Sequence, residues 1–206
     1  MTEMIQWYGE LGQDRFVAEI LQHKTSGYFV EFGAMNGREY SNTYTLEKHF
    51  DWQGIVSEPN PRFHDELSKN RSCIIDNRAF WHTSGLQLDF VCRHHGYSVL
   101  GPNIITDGDQ LIKVESIRLN DVLNLYHAPD VIDYISMDTE GTELDILSAF
   151  DWSRWQVLVW TIEHNYKEPA RSATREIMFA HDYRLLREAD SQYDDWFVHA
   201  SVLHSE

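Results

Sequence analysis

Apolar residues recur along this chain in two rhythms, one helical and one strand-like. Phe16, Val17, Ile20 and Leu21 keep helical spacing within 13–23, and Thr25, Ser26 and Gly27 end it, which predicts a covering helix inside the leading segment 1–27. Short apolar runs at 28–32, 54–57 and 72–75 read as strands. Between them, Ser41 or Asn42 can cap a helix reaching Phe50, and Asn60 with Pro61 at the first helical position opens one to about Asn70. The rhythm then breaks. Residues 85–117 form an inserted excursion, with strands at 86–92 and 111–117 and loop material at Gly96, Gly101, Pro102, Asp107 and Gly108. Regular order resumes with a helix at 120–126 capped by Asn120, a strand at 132–137, a helix at 142–150, a strand at 157–162 and a helix at 173–181. Two last strands at 183–187 and 196–199 flank a polar turn. Strands alternating with helices predict an α/β fold in one domain, 1–206. Its sheet is mostly parallel, with helices on both faces and an antiparallel C-terminal hairpin.

Charge narrows the partners. Seventeen Lys and Arg against 33 Asp and Glu leave a net charge of −16, which repels phosphate backbones and anionic headgroups. Nucleic acid and membrane surfaces are disfavoured, and a small molecule is expected; association into a homo-oligomer is left open. Cys73 and Cys92 fit neither a zinc spacing nor a disulfide framework, so a reducing, cytoplasmic setting is expected. The first ten residues are acidic and aromatic, unlike a signal peptide, and no stretch approaches the roughly 18 apolar residues of a membrane span.

In open α/β sheets ligands bind beyond the carboxyl ends of the strands. The first strand ends with Glu31 and the loop Gly33, Ala34, Met35, Asn36, Gly37; the second ends at Glu58, about twenty residues further on, where an acid suits the two hydroxyls of an adenosine ribose. The loop lacks the full G-x-G-x-x-G pattern of a dinucleotide site, and Glu31 would repel a pyrophosphate. S-adenosylmethionine, with a sulfonium and an α-ammonium, suits these carboxylates better, and its carboxylate can take hydrogen bonds from Ser41, Asn42 and loop amides. Asn60 accompanies Glu58, and Asn77 and Ala79 follow the third strand, where an adenine edge is met.

Phe29 to Gly37, Ser41-Asn42-Thr43, Glu58-Pro59-Asn60-Pro61 and Asp133 to Leu147, with its D-T-E-G-x-E-x-x-I-L pattern, resemble the FkbM-type S-adenosylmethionine-dependent methyltransferases from about Tyr28 to His199. The resemblance implies a Rossmann-like, seven-stranded class I methyltransferase fold and O-methylation of a hydroxyl on a sugar or other small metabolite. Met35 departs from the acidic or asparagine residue of many relatives. The 85–117 excursion is where acceptor recognition is expected to differ.

Methyl transfer to an alcohol needs an aligned acceptor that loses its proton. The fourth strand ends at Asp138-Thr139-Glu140 and the fifth at Glu163-His164-Asn165-Tyr166, so Asp138, Glu140, Glu163 and His164 are the catalytic candidates. His164 can act as general base, or Asp138, Glu163 and Asn165 can hold a divalent cation such as magnesium. Asp138 is also a candidate for the cofactor's ammonium. His94 and His95 read as an ordinary loop pair. A nucleic-acid amino methyltransferase would carry Asp or Asn followed by Pro-Pro and an aromatic where this chain has Asp138-Thr139-Glu140-Gly141. A non-catalytic cofactor-binding or interaction protein of the same fold is the alternative function.

Overall fold

A computed structural model describes residues 4–93, 98–100 and 105–203. The elements run α1 (Gln13–Ile20), β1 (Tyr28–Phe32), α2 (Tyr44–Phe50), β2 (Gln53–Ser57), α3 (His64–Asn70), β3 (Ile74–Asp76), β4 (Ala79–Phe80), β5 (Gln87–Cys92), β6 (Val99–Leu100) and β7 (Gln110–Ile117). They continue with α4 (Leu119–Leu125), β8 (Val131–Met137), α5 (Glu143–Ser148), β9 (Gln156–Glu163), α6 (Ala170–Ala180), β10 (Tyr183–Leu186) and β11 (Asp194–His199).

Seven strands form the main sheet in the order β10-β11-β9-β8-β1-β2-β3, and β11 alone runs against its neighbours. Successive side chains of a strand point to opposite faces, so a strand covered on both sides must be apolar throughout. Phe29, Val56, Tyr134, Val159 and Trp196 pack with α1, α2 and α3 on one face. Their neighbours Val30, Ile55, Ile135, Trp160 and Phe197 pack with α4, α5 and α6 on the other. Each such side chain contributes on the order of 1.5–3 kcal/mol, whereas an exposed ion pair like Arg15–Glu19 is worth about 0–1. Burial on both faces therefore holds the sheet, and a truncation such as Trp160→Ala strikes at its middle.

The expected antiparallel C-terminal hairpin closes one edge of the sheet, with β11 between β9 and β10; Trp196, Phe197 and Val198 are buried on both faces while Arg184 of β10 is exposed. Two details depart from the sequence reading. Asn120 lies inside α4, capped by Arg118, and ties it to the next connection by donating to the Ala149 carbonyl and accepting the Asp151 N–H. Asn60 starts a turn, its Oδ1 accepting the Arg62 N–H, and α3 begins only at His64.

The 85–117 stretch supplies β5, β6 and β7, which with β4 build a second sheet ordered β4-β7-β5-β6 around Ala79, Phe90, Cys92 and Val114. His94, His95, Gly96, Gly101 and Pro102 lie outside the described residues.

Candidate active site

The order of the main sheet reverses between β1 and β8, and the loops that leave neighbouring strands on either side of that point part to open a crevice. A cleft of about 730 Å³ occupies it. Its walls come from the loop after β1, the ends of β2, β8, β9 and the start of β11, the N-terminal Glu10 and Gln13, and Phe90, Ser98 and Leu100 of the second sheet.

Gly33, with φ +72, begins the loop. A Cβ there would lie 2.5 Å from the Asp138 carbonyl, so only glycine lets the ends of β1 and β8 approach this closely. Ala34, Met35 and Asn36 follow along the wall. Glu58, at the end of β2, is 4% exposed and faces the cleft. One carboxylate oxygen accepts the Met35 N–H at 2.8 Å and the other the Asn60 N–H at 2.7 Å, which leaves each oxygen a further acceptor position. Burial, opposed by these two hydrogen bonds, pushes its pKa up to about 7. Pro59, Phe63, Ala79, Phe80, Phe90 and Leu100 make an apolar slot beside it.

The residues fit an S-adenosylmethionine-type ligand on chemical grounds. Eight carboxylates line the cleft, and no described lining residue is Lys, Arg or His, so a sulfonium and an ammonium are favoured. Asn42 donates to the Ser136 hydroxyl, and its Oδ1 is a buried acceptor without a hydrogen-bond partner. Such an atom suits a donor brought by the ligand.

Several candidates for cofactor contact are engaged by the protein's own groups or lie outside the cleft. Glu31 is 3% exposed and its carboxylate accepts hydrogen bonds from the Ser41 and Thr43 hydroxyls, the Asn42 N–H and Arg71. Ser41 lines the wall, but its hydroxyl proton goes to Glu31 while its oxygen accepts the Tyr44 N–H that opens α2. Gly37 packs against Leu67 and Arg71, Asn60 is fully buried, its side-chain amide reaching the Arg93 carbonyl and Ser98, and Asn77 is exposed outside the cleft.

At the other end, carboxylate oxygens of Asp138, Glu140 and Glu163 lie within 4.8 Å of one another. Glu163 is 8% exposed. Burial first, then repulsion from Glu140, Glu143 and Asp194, pushes its pKa up to about 8. Asp138 is exposed at the cleft surface, yet the protein packed close about it and then repulsion from Glu163 and Glu140 raise its pKa above the usual carboxylate range. Burial likewise raises Glu140, against the pull of Lys167.

His164 does not join them. Side chains alternate at the end of β9, so with Glu163 in the cleft the imidazole points to the other side. There Nδ1 accepts the Tyr166 N–H at 2.9 Å, and Nε2 stands 3.5 Å from the Asp195 carboxylate, which Arg171 and Arg175 already hold. Burial lowers its pKa. Asn165 does line the cleft, but its amide nitrogen faces Glu140 at 3.5 Å, so the carboxylate completing the trio is Glu140.

Other residues at this end were not singled out from sequence. Asp194, raised by burial to about 6, accepts a 2.8 Å hydrogen bond from Gln13, and both line the cleft. Glu143 braces the loop after β8 by accepting from the Thr139 N–H and hydroxyl and the Gly141 N–H. The i, i+2 and i+4 spacing of these groups was a readable signal for Glu143; the pairing of Gln13 with a residue 181 positions away had none.

A seven-stranded sheet of this order with a cleft at its reversal point defines the Rossmann-like class I methyltransferase fold. Solved structures agree. The METTL16 MTase domain superposes with a TM-score of 0.53 at 10% identity, covering 91% of this chain and 65% of that one. The O-methyltransferase from Bacillus cereus in complex with SAH gives 0.50 at 13% identity, over 90% and 78% of the two chains. The Methyltransferase FkbM domain model matches residues 31–185, and the chain belongs to that family. No curated protein matches it. The protein is a methyltransferase of the class that uses S-adenosylmethionine, and no described helix is long and apolar enough to cross a membrane.

Proposed function

We propose that this protein transfers a methyl group from S-adenosylmethionine to a hydroxyl of a small acceptor, a sugar or other hydroxylated metabolite, with Glu163 as the base. The observation that carries this reading is the carboxylate trio at one end of a cleft whose other end presents Glu58. Glu58 receives the ribose hydroxyls, the apolar slot beside Ala79 and Phe80 the adenine, and Asn42 and Asp138 the ammonium. The cofactor supplies an activated methyl carbon. Glu163, its pKa raised to about 8, would take the proton of the acceptor hydroxyl that is to be methylated.

The same carboxylates repel a phosphorylated acceptor, so nucleic acid is the disfavoured substrate. Isothermal titration with S-adenosylmethionine and with NAD, followed by methyl transfer from labelled cofactor to a panel of sugars, hydroxylated metabolites, amines and RNA, tests the reading. Binding of the first cofactor only, with label in a hydroxylated compound, is expected. Label entering RNA or an amine, or binding of NAD alone, overturns it.

A further inference from the structure

Behind the cleft wall sits a guanidinium that the reaction does not touch. Arg71 follows α3, and its side chain is wholly buried. Nε donates to Glu47 at 2.6 Å, Nη2 to the Thr43 hydroxyl at 2.8 Å, and Nη1 faces Glu31 and the Ser41 hydroxyl at 3.1 Å and the Gly37 carbonyl at 3.3 Å. Glu31 in turn accepts from the Asn42 N–H and the Thr43 hydroxyl, both at 2.6 Å. Between them these two side chains grip the segment 37–43 at Gly37, Ser41, Asn42 and Thr43, and that segment carries Tyr40, Ser41 and Asn42 of the cleft wall. Neither Arg71 nor Glu31 lines the cleft themselves. Gly37 completes the fit: at φ +77, a Cβ on it would lie 2.7 Å from Arg71 Cγ, so the loop rests directly on the arginine stem.

A buried ion pair is poor evidence for stability, because desolvation offsets its attraction; its attested use is to specify one arrangement among several. We propose that Arg71 is a positioning residue: through Glu31 it sets the 37–43 segment, and with it the affinity for the cofactor. This rests on the cofactor reading above. Five fixed N–H donors hold loop and helix together in a way that one ammonium cannot reproduce.

The test measures binding of S-adenosylhomocysteine by calorimetry, and thermal midpoints, for Arg71→Met, Arg71→Lys, Ser41→Ala and the double variants. Val122→Ala, a core truncation in α4, serves as a control for lost stability alone. Arg71→Met is expected to weaken binding about tenfold or more, Arg71→Lys to recover part of it, and Ser41→Ala to add little on top of either. Val122→Ala lowers the midpoint and leaves affinity unchanged. If Arg71→Met does not fold, Arg71→Lys decides on the same criteria. Wild-type affinity in a folded Arg71 variant, or a loss fully additive with that of Ser41→Ala, overturns the proposal. Failure of the wild type to bind overturns the cofactor reading itself.

Discussion

Glu58 and Glu163 stand at the ends of β2 and β9 in one cleft, both more than nine-tenths buried, and their surroundings make different groups of them. Glu58 is alone among backbone donors. The Met35 and Asn60 N–H groups favour its charged form and aim its remaining acceptor positions outward. Glu163 instead faces Glu140, Glu143 and Asp194, and of these surroundings only Asn165 favours its charge. Burial raises both, to about 7 and about 8, but repulsion is what adds to the second. A carboxylate fixed by amides is a hydrogen-bond acceptor for a ligand; one crowded by other carboxylates is a proton acceptor waiting for a cation or a hydroxyl.

The sharpest way to break that comparison is to neutralise each glutamate in turn. Glu163→Gln should reduce kcat by roughly 10²–10⁴-fold while S-adenosylhomocysteine affinity stays within a few-fold, measured by labelled methyl transfer and calorimetry. Full activity in this variant sinks the base assignment. Activity lost on chelation and restored by Mg²⁺ would point instead to an ion held by the three carboxylates.

Glu58→Ala should leave the chemistry its base but remove the ribose acceptor, weakening cofactor affinity about ten- to a hundredfold. An unchanged dissociation constant refutes that role.

The pH dependence of stability sharpens the contrast further. In the fold, the neutral forms of Glu163, Glu58 and Asp194 are favoured, with pKa values of about 8, 7 and 6 against ordinary values of 4.5, 4.5 and 3.8. Their contribution to stability is therefore complete below the ordinary values and is lost as pH rises through the raised ones. The cofactor-free protein should lose thermal midpoint between about pH 5 and 8.5, by roughly 2–4 °C per kcal/mol. Glu163→Gln should flatten the upper part of the curve and Glu58→Gln the lower; parallel curves for wild type and both variants would contradict the assignments.

The smallest effect on turnover is expected at His164. His164→Ala should keep kcat within a few-fold and cost on the order of 1–3 kcal/mol of stability, since the ring packs beside Asp195 away from the cleft. A large loss of kcat at normal stability would restore it as the base.

What the sequence determined by itself follows from periodicity and from residue type at strand ends. Alternating buried runs specify the parallel sheet, and Glu58, Asp138, Glu140 and Glu163 reach the cleft because a parallel sheet brings all its carboxyl ends to one rim. The tertiary structure decided which way neighbouring side chains point and whom they meet. Glu163 and His164 are adjacent in sequence and on opposite sides of the sheet end. Glu31 reads as a cofactor ligand until Arg71, 40 residues later, is found holding it. Local chemistry sets what a side chain can do, but its free hydrogen-bonding positions depend on partners brought close only by the packing of distant segments. That packing has no spacing to read.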